Sequence, residues 1–223
     1  MRKGVFVTIS GRDGIGKGTQ AQILASKIPG SICHSFPSSE ATVIQEYLKG
    51  NISLTQRELY YYHIKDKLDY NNIIQNELLA DNSFVIADRY DIDGIVYATE
   101  SGIDVEFTVS AACGLITPDL SIILYGPGHR ENPRDIMEED KEFQQRINDR
   151  FAHFHSPPNI FNFDRPIVKI DTTGLNIAQV AAEIEKSLWC GLGFSVNPKH
   201  RLLQTSTDQQ YSPTVCEDSS TGC

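Results

Sequence analysis

A glycine-rich loop near the amino terminus constrains this chain more than any other feature. Residues 11–19 read Gly-Arg-Asp-Gly-Ile-Gly-Lys-Gly-Thr, between an apolar run at residues 4–9 and a segment at 20–28 whose apolar side chains recur with helical spacing. Glycines let successive backbone N–H groups point at an anion, and the following helix adds the positive end of its dipole. Lys17 adds a full positive charge. The pattern predicts a strand, loop and helix that bind the phosphates of a nucleoside triphosphate.

One position distinguishes this loop from others of its kind. Gly18 follows the lysine where a magnesium-binding serine or threonine is usual, and the hydroxyl comes one residue later at Thr19. The Gly-Lys-Gly-Thr-Gln form resembles the nucleoside monophosphate kinases, adenylate kinases in particular. In such a site phosphates and waters would hold most of the coordination sphere of Mg²⁺, an ion that dehydrates reluctantly. We therefore expect Mg²⁺ to be required.

Composition narrows the classes of protein that fit. A length of 223 residues suits one α/β domain, and a net charge of −9 argues against a general nucleic-acid binder. The five cysteines are odd in number and have no metal-ligand spacing, which favours a reducing compartment. No apolar segment approaches the length of a membrane span. We expect a cytoplasmic or nuclear protein that binds neither nucleic acid nor a membrane.

Short apolar runs alternate with helical patterns along the chain. The runs predict strands at residues 4–9, 31–37, 84–87, 120–125 and 167–170. A capping box, Thr55 with Glu58, opens a helix that is predicted to reach about residue 80. The leucines expected on its buried faces are Leu59, Leu68, Leu78 and Leu79. This alternation is typical of a parallel, doubly wound sheet, in which ligands bind beyond the carboxyl ends of the strands.

The character of the sequence changes at residues 127–150, where half of the residues are charged. Phe143, Ile147 and Phe151 form one helical stripe, with Arg146 and Arg150 on a neighbouring one. The segment is either a solvated helical hairpin or a mobile lid whose arginines close on phosphates. We expect one domain over residues 1–192 with this lid at about 127–150. Residues 193–223, rich in serine and threonine, would form a flexible tail or a packed extension.

With these elements in place, the chain resembles the thymidylate kinases from about residue 5 to residue 188. The points of resemblance are Gly-x-Asp at 11–13, Phe36-Pro37, Asp88-Arg89-Tyr90 with Gly94 and Tyr97, Pro118-Asp119-Leu120, Gly128-His129-Arg130, Phe143-Gln144-Gln145-Arg146 and Ile170-Asp171. Each is weak alone, but their order and spacing are specific. The resemblance implies a three-layer P-loop kinase fold, with helices flanking a five-stranded parallel sheet and a short lid. It also implies phosphoryl transfer from ATP to dTMP with Mg²⁺, in a homodimer.

The resemblance assigns the donor side of the reaction residue by residue. The residues expected to bind ATP are Gly11, Asp13, Gly14, Ile15, Gly16, Lys17, Gly18 and Thr19, with Arg146 and Asp171 near the adenine. Asp88 would position Mg²⁺ through water. Some members carry an arginine at the position of Gly14, and its absence here implies that the lid supplies the transition-state arginine. The residues expected to be catalytic are therefore Lys17, Arg89, Arg130 and Arg134.

The same resemblance assigns the acceptor side. Arg89 would grip the acceptor monophosphate, and Asp13 would read the 3′-hydroxyl of the sugar. The remaining assignments place Phe36 and Tyr61 beside the base, Lys65 at the position of an arginine that reads a base carbonyl, Tyr97 at the 2′ side of the sugar, and Asp93 where a small serine is usual. The alternative for Arg89 is a structural salt bridge, and for Tyr61 and Tyr97 it is core packing.

One departure from the family pattern concerns the acceptor phosphate. The family usually has an arginine before Phe-Pro, and this chain has Ser35. A lost charge-assisted contact is worth about 1.5–3 kcal/mol, and His34 or Lys65 are the candidates to compensate. Two alternatives therefore stay open: a kinase for dUMP or another pyrimidine monophosphate, and a nucleotide-binding protein that has lost catalysis. A regulatory GTPase is disfavoured, because no Asn-Lys-x-Asp motif occurs.

Overall fold

In the computed structural model, which describes residues 4–128, 133, 135–155 and 165–193, the backbone is organised around a five-stranded parallel sheet. Its strands are β1 (Val5–Gly11), β2 (Ser31–Ser35), β3 (Phe84–Asp88), β4 (Leu120–Tyr125) and β5 (Ile167–Asp171). They lie in the order β2-β3-β1-β4-β5, and all four pairings are parallel. The predicted fold class is therefore confirmed.

Helices cover both faces of the sheet, as parallel strands require. The helices are α1 (Lys17–Lys27), α2 (Thr42–Leu48), α3 (Gln56–Asp69), α4 (Asn71–Ile73), α5 (Leu79–Asp81), α6 (Asp91–Glu100), α7 (Val105–Ala112), α8 (Ile136–Glu139), α9 (Lys141–Ala152) and α10 (Ile177–Gly191). Helices α1 and α10 pack with one apolar core, and α3, α6, α7 and α9 pack with the other. The central strands β1 and β4 are buried almost end to end, which explains their near-continuous apolar sequence.

The long helix predicted from residue 55 to about residue 80 is interrupted. The capping box is present, since Thr55 Oγ1 accepts from the Glu58 backbone at 3.2 Å, but α3 ends at Asp69 and a π-helical turn spans Ile74–Leu78. The prediction that Leu68 is buried is wrong, because this side chain is 40% exposed. The inward face of α3 consists of Tyr60, Ile64 and Lys67, one turn apart, which rotates Leu68 toward the surface.

The described part of the segment at 127–150 forms α8 and α9. The predicted apolar stripe is confirmed, because Phe143, Ile147 and Phe151 are all buried against the core on that side of the sheet. That the segment acts as a lid stays a prediction. Arg130, Arg134 and the predicted tail beyond residue 193 lie outside the described residues. None of the described helices combines the length and the apolar character needed to span a membrane.

Candidate active site

The candidate site lies where β1 and β3 separate at the carboxyl edge of the sheet. The two strands are in register up to Ile9 opposite Asp88, and the Arg89 N–H donates to the Ile9 carbonyl at 3.0 Å. Beyond this point β1 continues into the phosphate loop, and β3 continues into Arg89 and Tyr90. The separation opens a crevice at the position where doubly wound sheets bind their ligands.

The phosphate loop has the conformation that its glycines allow. Gly14 and Gly16 have φ of 73° and 99°, in the region that other residues avoid. Ile15 between them is only 3% exposed and anchors the loop to the core. Helix α1 then begins at Lys17, and no side chain caps its first turn. The unbonded N–H groups of a helix start are a binding site for an anion.

Lys17 lies across the inside of this loop. Its side chain is 5% exposed, and Nζ donates to the carbonyls of Gly11 and Arg12, each at 2.8 Å. Nζ also lies 3.9 Å from the carboxylate of Asp13. These contacts hold a positive charge at the centre of the loop, at the position that the sequence predicted for it.

Asp13 joins the loop to the acceptor side of the crevice. Its carboxylate is 7% exposed and forms an ion pair with Arg89. It also accepts from the Tyr97 hydroxyl at 2.7 Å and from Gln144 Nε2 at 3.2 Å. Arg89 has a φ of +66°, and its buried Nε has no hydrogen-bond partner among the described residues. The guanidinium therefore forms a salt bridge and still has a donor left for an anion.

Asp88, at the end of β3, faces the start of α1. Burial raises the pKa of Asp88 to about 6; the nearby Lys17 opposes this rise and Asp93 adds to it. Its Oδ1 is buried without a hydrogen-bond partner in the described chain. A Cβ atom at Gly18 would lie 2.8 Å from Asp88 Oδ2. This contact gives a physical reason why glycine, rather than serine or threonine, follows the loop lysine.

A cavity extends from Arg89 toward helix α3. Of the residues predicted for the acceptor, the cavity is lined by Asp13, Phe36, Arg89, Asp93 and Tyr97. Residues of α3 without a predicted role also line it, among them Tyr60, His63 and Lys67. They occur at positions i, i+3 and i+7, so they share one helix face.

Tyr61 and Lys65 do not reach this cavity, so their predicted places beside the base need correction. Tyr61 is 61% exposed and packs edge-on against Tyr62, and Lys65 forms an exposed ion pair with Asp69. The cause is the rotation of α3, which turns these two residues outward. The capping box identified where the helix starts, but it did not identify which face is buried. Tyr61, Ile64 and Leu68 have the same i, i+3, i+7 spacing as Tyr60, His63 and Lys67, so the sequence offers no signal that separates the two faces.

Lys67 is the buried cation of the cavity. It is 3% exposed, donates to the His63 carbonyl at 2.9 Å, and lies 5.7 Å from the centre of the Phe36 ring. Burial lowers its pKa to about 8, against the opposing effect of the carboxylates of Asp66, Asp93 and Asp91. The ammonium has three donors, so two remain for a ligand when the described contacts are counted.

The two residues before Phe36 lie outside this cavity. Ser35 is exposed at the end of β2, and the His34 ring packs against Phe36 and Tyr70 at centroid distances of 4.8 Å each. Neither residue lines the cavity. The two residues proposed to replace the family arginine, His34 and Lys65, thus lie elsewhere, and the cations that line the cavity are Arg89 and Lys67.

The residues predicted near the adenine are separate from this cavity. Arg146 of α9 donates from Nε to Glu100 at 2.6 Å, and Arg150 pairs with the same carboxylate. Asp171 ends β5, and hydrogen bonds from Thr173 lower the pKa of its carboxyl group. Arg146 thus pairs with Glu100 of α6, and its contact with the adenine stays a prediction.

Gln144 is a site residue to which the sequence analysis gave no role. It is 2% exposed on α9, accepts from the Asp13 backbone N–H at 3.2 Å, and donates to the Asp13 carboxylate. Its Nε2 also donates to the Met137 carbonyl at 3.0 Å. Gln144 thereby connects the predicted lid to the phosphate loop. The sequence offered only its place in the Phe-Gln-Gln-Arg pattern as a signal.

Comparison with known proteins agrees with this geometry. The model of the family described as "Thymidylate kinase" matches residues 9–184. A "Probable thymidylate kinase" from Methanocaldococcus jannaschii is 27% identical over 186 residues, which are 81% of this chain and 93% of that protein. A thymidylate kinase from Plasmodium falciparum is 27% identical over 175 residues, 73% of this chain and 83% of that protein. The solved thymidylate kinase from Candida albicans has the same fold, with a TM-score of 0.72 at 24% identity over 84% of this chain and 92% of that chain.

Proposed function

Because the chain belongs to the thymidylate kinase family of ATP-dependent nucleoside monophosphate kinases, we propose that it transfers the γ-phosphoryl group of ATP to dTMP, giving dTDP and ADP. One observation carries the proposal. The phosphate loop with Lys17 and the guanidinium of Arg89 face the same crevice from its two sides, joined through Asp13. In-line phosphoryl transfer depends mainly on positioning and on neutralisation of charge, and this arrangement supplies both.

The donor phosphates bind to the loop in this mechanism. The N–H groups at the start of α1 surround the β-phosphate, and Lys17 Nζ contacts the oxygens of the β- and γ-phosphates. Because Nζ already lies within the loop, bonded to the Gly11 and Arg12 carbonyls, little side-chain entropy is lost when ATP binds. Lys17 thus stabilises the charge that is spread over the transferred group.

The acceptor monophosphate binds to Arg89. Its planar guanidinium matches two phosphate oxygens, and the buried Nε supplies a donor that no described residue uses. Asp13 accepts from the 3′-hydroxyl of the sugar, because its carboxylate stands between Arg89 and Tyr97. Tyr97 then closes the space on the 2′ side of the sugar and favours a deoxyribose.

The base end of the acceptor site is formed by Phe36 and Lys67. Phe36 is 3% exposed and offers a ring face to a pyrimidine. Lys67 takes the role predicted for Lys65, because its side chain lines the cavity and its ammonium has donors beyond the one bonded to the His63 carbonyl. The carbonyl oxygen at position 4 of thymine or uracil accepts from Lys67, whereas cytosine carries an amino group at that position, a donor that is disfavoured there.

The residues at the mouth of the loop fit Mg²⁺. Carboxylate oxygens are ligands that Mg²⁺ prefers, and Asp88 offers a buried oxygen without a partner in the described structure. Within the same described ranges, no group of three His, Cys, Asp or Glu side chains could hold a metal ion alone. We therefore propose that Asp88 holds Mg²⁺ through water, while the phosphates of ATP supply its other ligands. The ion neutralises phosphate charge when it is bound.

A coupled assay of ADP release tests the proposed function. ATP and Mg²⁺ are combined with the native protein and with dTMP, dUMP, UMP, dCMP or dAMP in turn. We expect the highest kcat/KM with dTMP and a loss of at least about 10²-fold in kcat for Lys17→Ala, since Lys17 acts on the transferred charge. Lys27→Ala, which removes an exposed lysine paired with Glu185, is the matched control and should keep native activity. Preference for another monophosphate would show that the acceptor is wrong. ATP binding without transfer to any of them would favour the degraded binder.

A homodimer is the oligomeric state that we propose. Helices α3 and α7 each carry exposed large apolar side chains, namely Tyr61 and Leu68 on α3 and Val105 and Phe107 on α7. The Arg57 guanidinium lies 4.6 Å from the centre of the Phe107 ring and links the two helices. Such a surface favours association. Light scattering should give the mass of a dimer for the native protein and of a monomer for Phe107→Glu, and a monomeric native protein would contradict this.

A further inference from the structure

Asp93 lines the cavity, and its carboxylate also bonds to the backbone of two other segments. The side chain is 5% exposed in the first turn of α6. Its Oδ1 accepts from the Gly11 backbone N–H and its Oδ2 accepts from the Tyr90 backbone N–H, each at 3.3 Å. A carboxylate is buried at a high cost unless it is bonded, and here its two bonds go to two different segments.

These two segments are the ones that leave the sheet. Gly11 lies two residues beyond Ile9, and Tyr90 lies two residues beyond Asp88, its partner in the parallel register. The last backbone bond between the strands runs from the Arg89 N–H to the Ile9 carbonyl. Past this bond two N–H groups face the gap, and two donors cannot bond to each other. The carboxylate of Asp93 supplies the missing acceptors and adds one more link between the diverging chains.

The two linked segments carry the principal cations of the site. The Gly11 carbonyl accepts from Lys17 Nζ, so the N–H and the carbonyl of this glycine are both held. Tyr90 directly follows Arg89, whose φ of +66° is an unfavourable backbone conformation for a residue with a Cβ atom. A backbone in such a conformation persists only where its surroundings hold it. Asp93 bonds the next N–H along the chain and helps to hold it.

We propose that Asp93 is a positioning residue that fixes the spacing between Lys17 and Arg89, and hence between the donor and acceptor phosphates. This inference rests on the proposed phosphoryl transfer. The serine usual at this position has one short oxygen and cannot bond both N–H groups as the carboxylate does. A misplacement of about 1 Å between reacting groups costs about 10²-fold in rate. The loss of Asp93 therefore acts mainly on kcat.

The experiment compares Asp93→Ala, Asp93→Asn and a matched control, Asp104→Ala, by steady-state kinetics with ATP and dTMP. Asp104 caps α7 by accepting from the Phe107 N–H at 2.9 Å and does not line the cavity. We expect Asp93→Ala to lower kcat by about 10- to 100-fold, with the KM for ATP within about twofold of native. Asparagine offers one acceptor oxygen where aspartate offers two. The kcat of Asp93→Asn should therefore lie between that of the native protein and that of Asp93→Ala. Asp104→Ala should lower the melting temperature and leave kcat unchanged.

Native kcat in a folded Asp93→Ala protein would overturn the proposal, as would an increase in KM without a loss of kcat. If Asp93→Ala does not fold, the same criteria applied to Asp93→Asn decide. The proposed function is tested separately, and it is wrong if the native protein prefers a monophosphate other than dTMP. In that case the kinetics of the same variants are measured with the preferred monophosphate as the acceptor. A native protein that phosphorylates no monophosphate would overturn both proposals.

Discussion

Replacing Lys67 with methionine should make the protein more stable and a poorer enzyme. The ammonium is 3% exposed, and burial lowers its pKa from the ordinary 10.5 to about 8. A lysine with a lowered pKa opposes folding at any pH below the folded value, because the unfolded chain holds the proton more tightly. This difference in pKa corresponds to about 3 kcal/mol. Loss of the hydrogen bond to the His63 carbonyl offsets about 1 kcal/mol, which leaves a net gain of about 2 kcal/mol.

The stability that Lys67→Met gains over the native protein should decrease as pH rises. As pH rises from about 8 toward 10.5, Lys67 is already neutral in the folded native protein, while the lysine of the unfolded chain still binds a proton. The destabilisation of the native protein by this buried charge therefore disappears over this range. The advantage of Lys67→Met over native should therefore be largest at pH 7 and should shrink above pH 8. Urea denaturation at pH 7 and at pH 9.5 measures this difference.

Lys67→Met should bind dTMP more weakly, although it is more stable. Methionine cannot donate to the base, so the variant loses a charge-assisted hydrogen bond worth about 1.5–3 kcal/mol, or about 10- to 100-fold in the KM for dTMP. For the same reason the native KM for dTMP should rise as pH passes above 8. The matched control is Lys65→Met on the same helix, which removes an exposed pair with Asp69 and should change neither property much. A destabilised Lys67→Met protein, or one with the native KM, would refute this account of the cavity.

Three other changes test the acceptor site, a buried ion pair and the carboxyl-terminal tail. Ser35→Arg should leave the KM for dTMP within about twofold of native, because Ser35 is exposed and lies outside the cavity; a tenfold fall would show that an arginine there reaches the phosphate. Arg165→Met should lower the free energy of unfolding by about 3–5 kcal/mol in urea, since Arg165 is only 2% exposed and its removal leaves Asp91 buried without its cation at 2.7 Å. Deleting residues 194–223 should leave kcat within about twofold, since the family match ends at residue 184, and abolished activity in a stable truncated protein would contradict this.

The phosphate loop and the sheet could be predicted because their signals are local. A glycine with φ of 99° at position 16 and an apolar run such as β4 each specify their own structure, whatever the rest of the chain does. The parallel arrangement then brought Lys17 and Arg89 to one edge without further information. Ligand-binding residues at strand ends are in this sense the predictable part of the site.

The wall of the cavity could not be predicted in the same way. Residues 60–62 of α3 are three consecutive tyrosines, and Lys65 and Lys67 stand two residues apart, so the composition does not identify the buried face. Tertiary packing buries Lys67, and the carboxylates of Asp91 and Asp93 on α6 act on its charge from a distant part of the chain. The role of Gln144 could not be predicted either, because it too depends on tertiary contacts. Its bonds to Asp13 join residues that are 131 positions apart.

The closeness of position 18 to Asp88 has an evolutionary consequence. With the carboxylate where it stands, a Cβ atom at residue 18 comes within 2.8 Å of Asp88 Oδ2, so the usual loop hydroxyl fits at position 18 only when the Asp88 side chain shifts. Such a shift also moves the carboxylate that is proposed to hold the metal. The two sites are thus epistatic in this protein. A substitution at position 18 is therefore expected to act through the position of Asp88 as well as through the side chain that it adds.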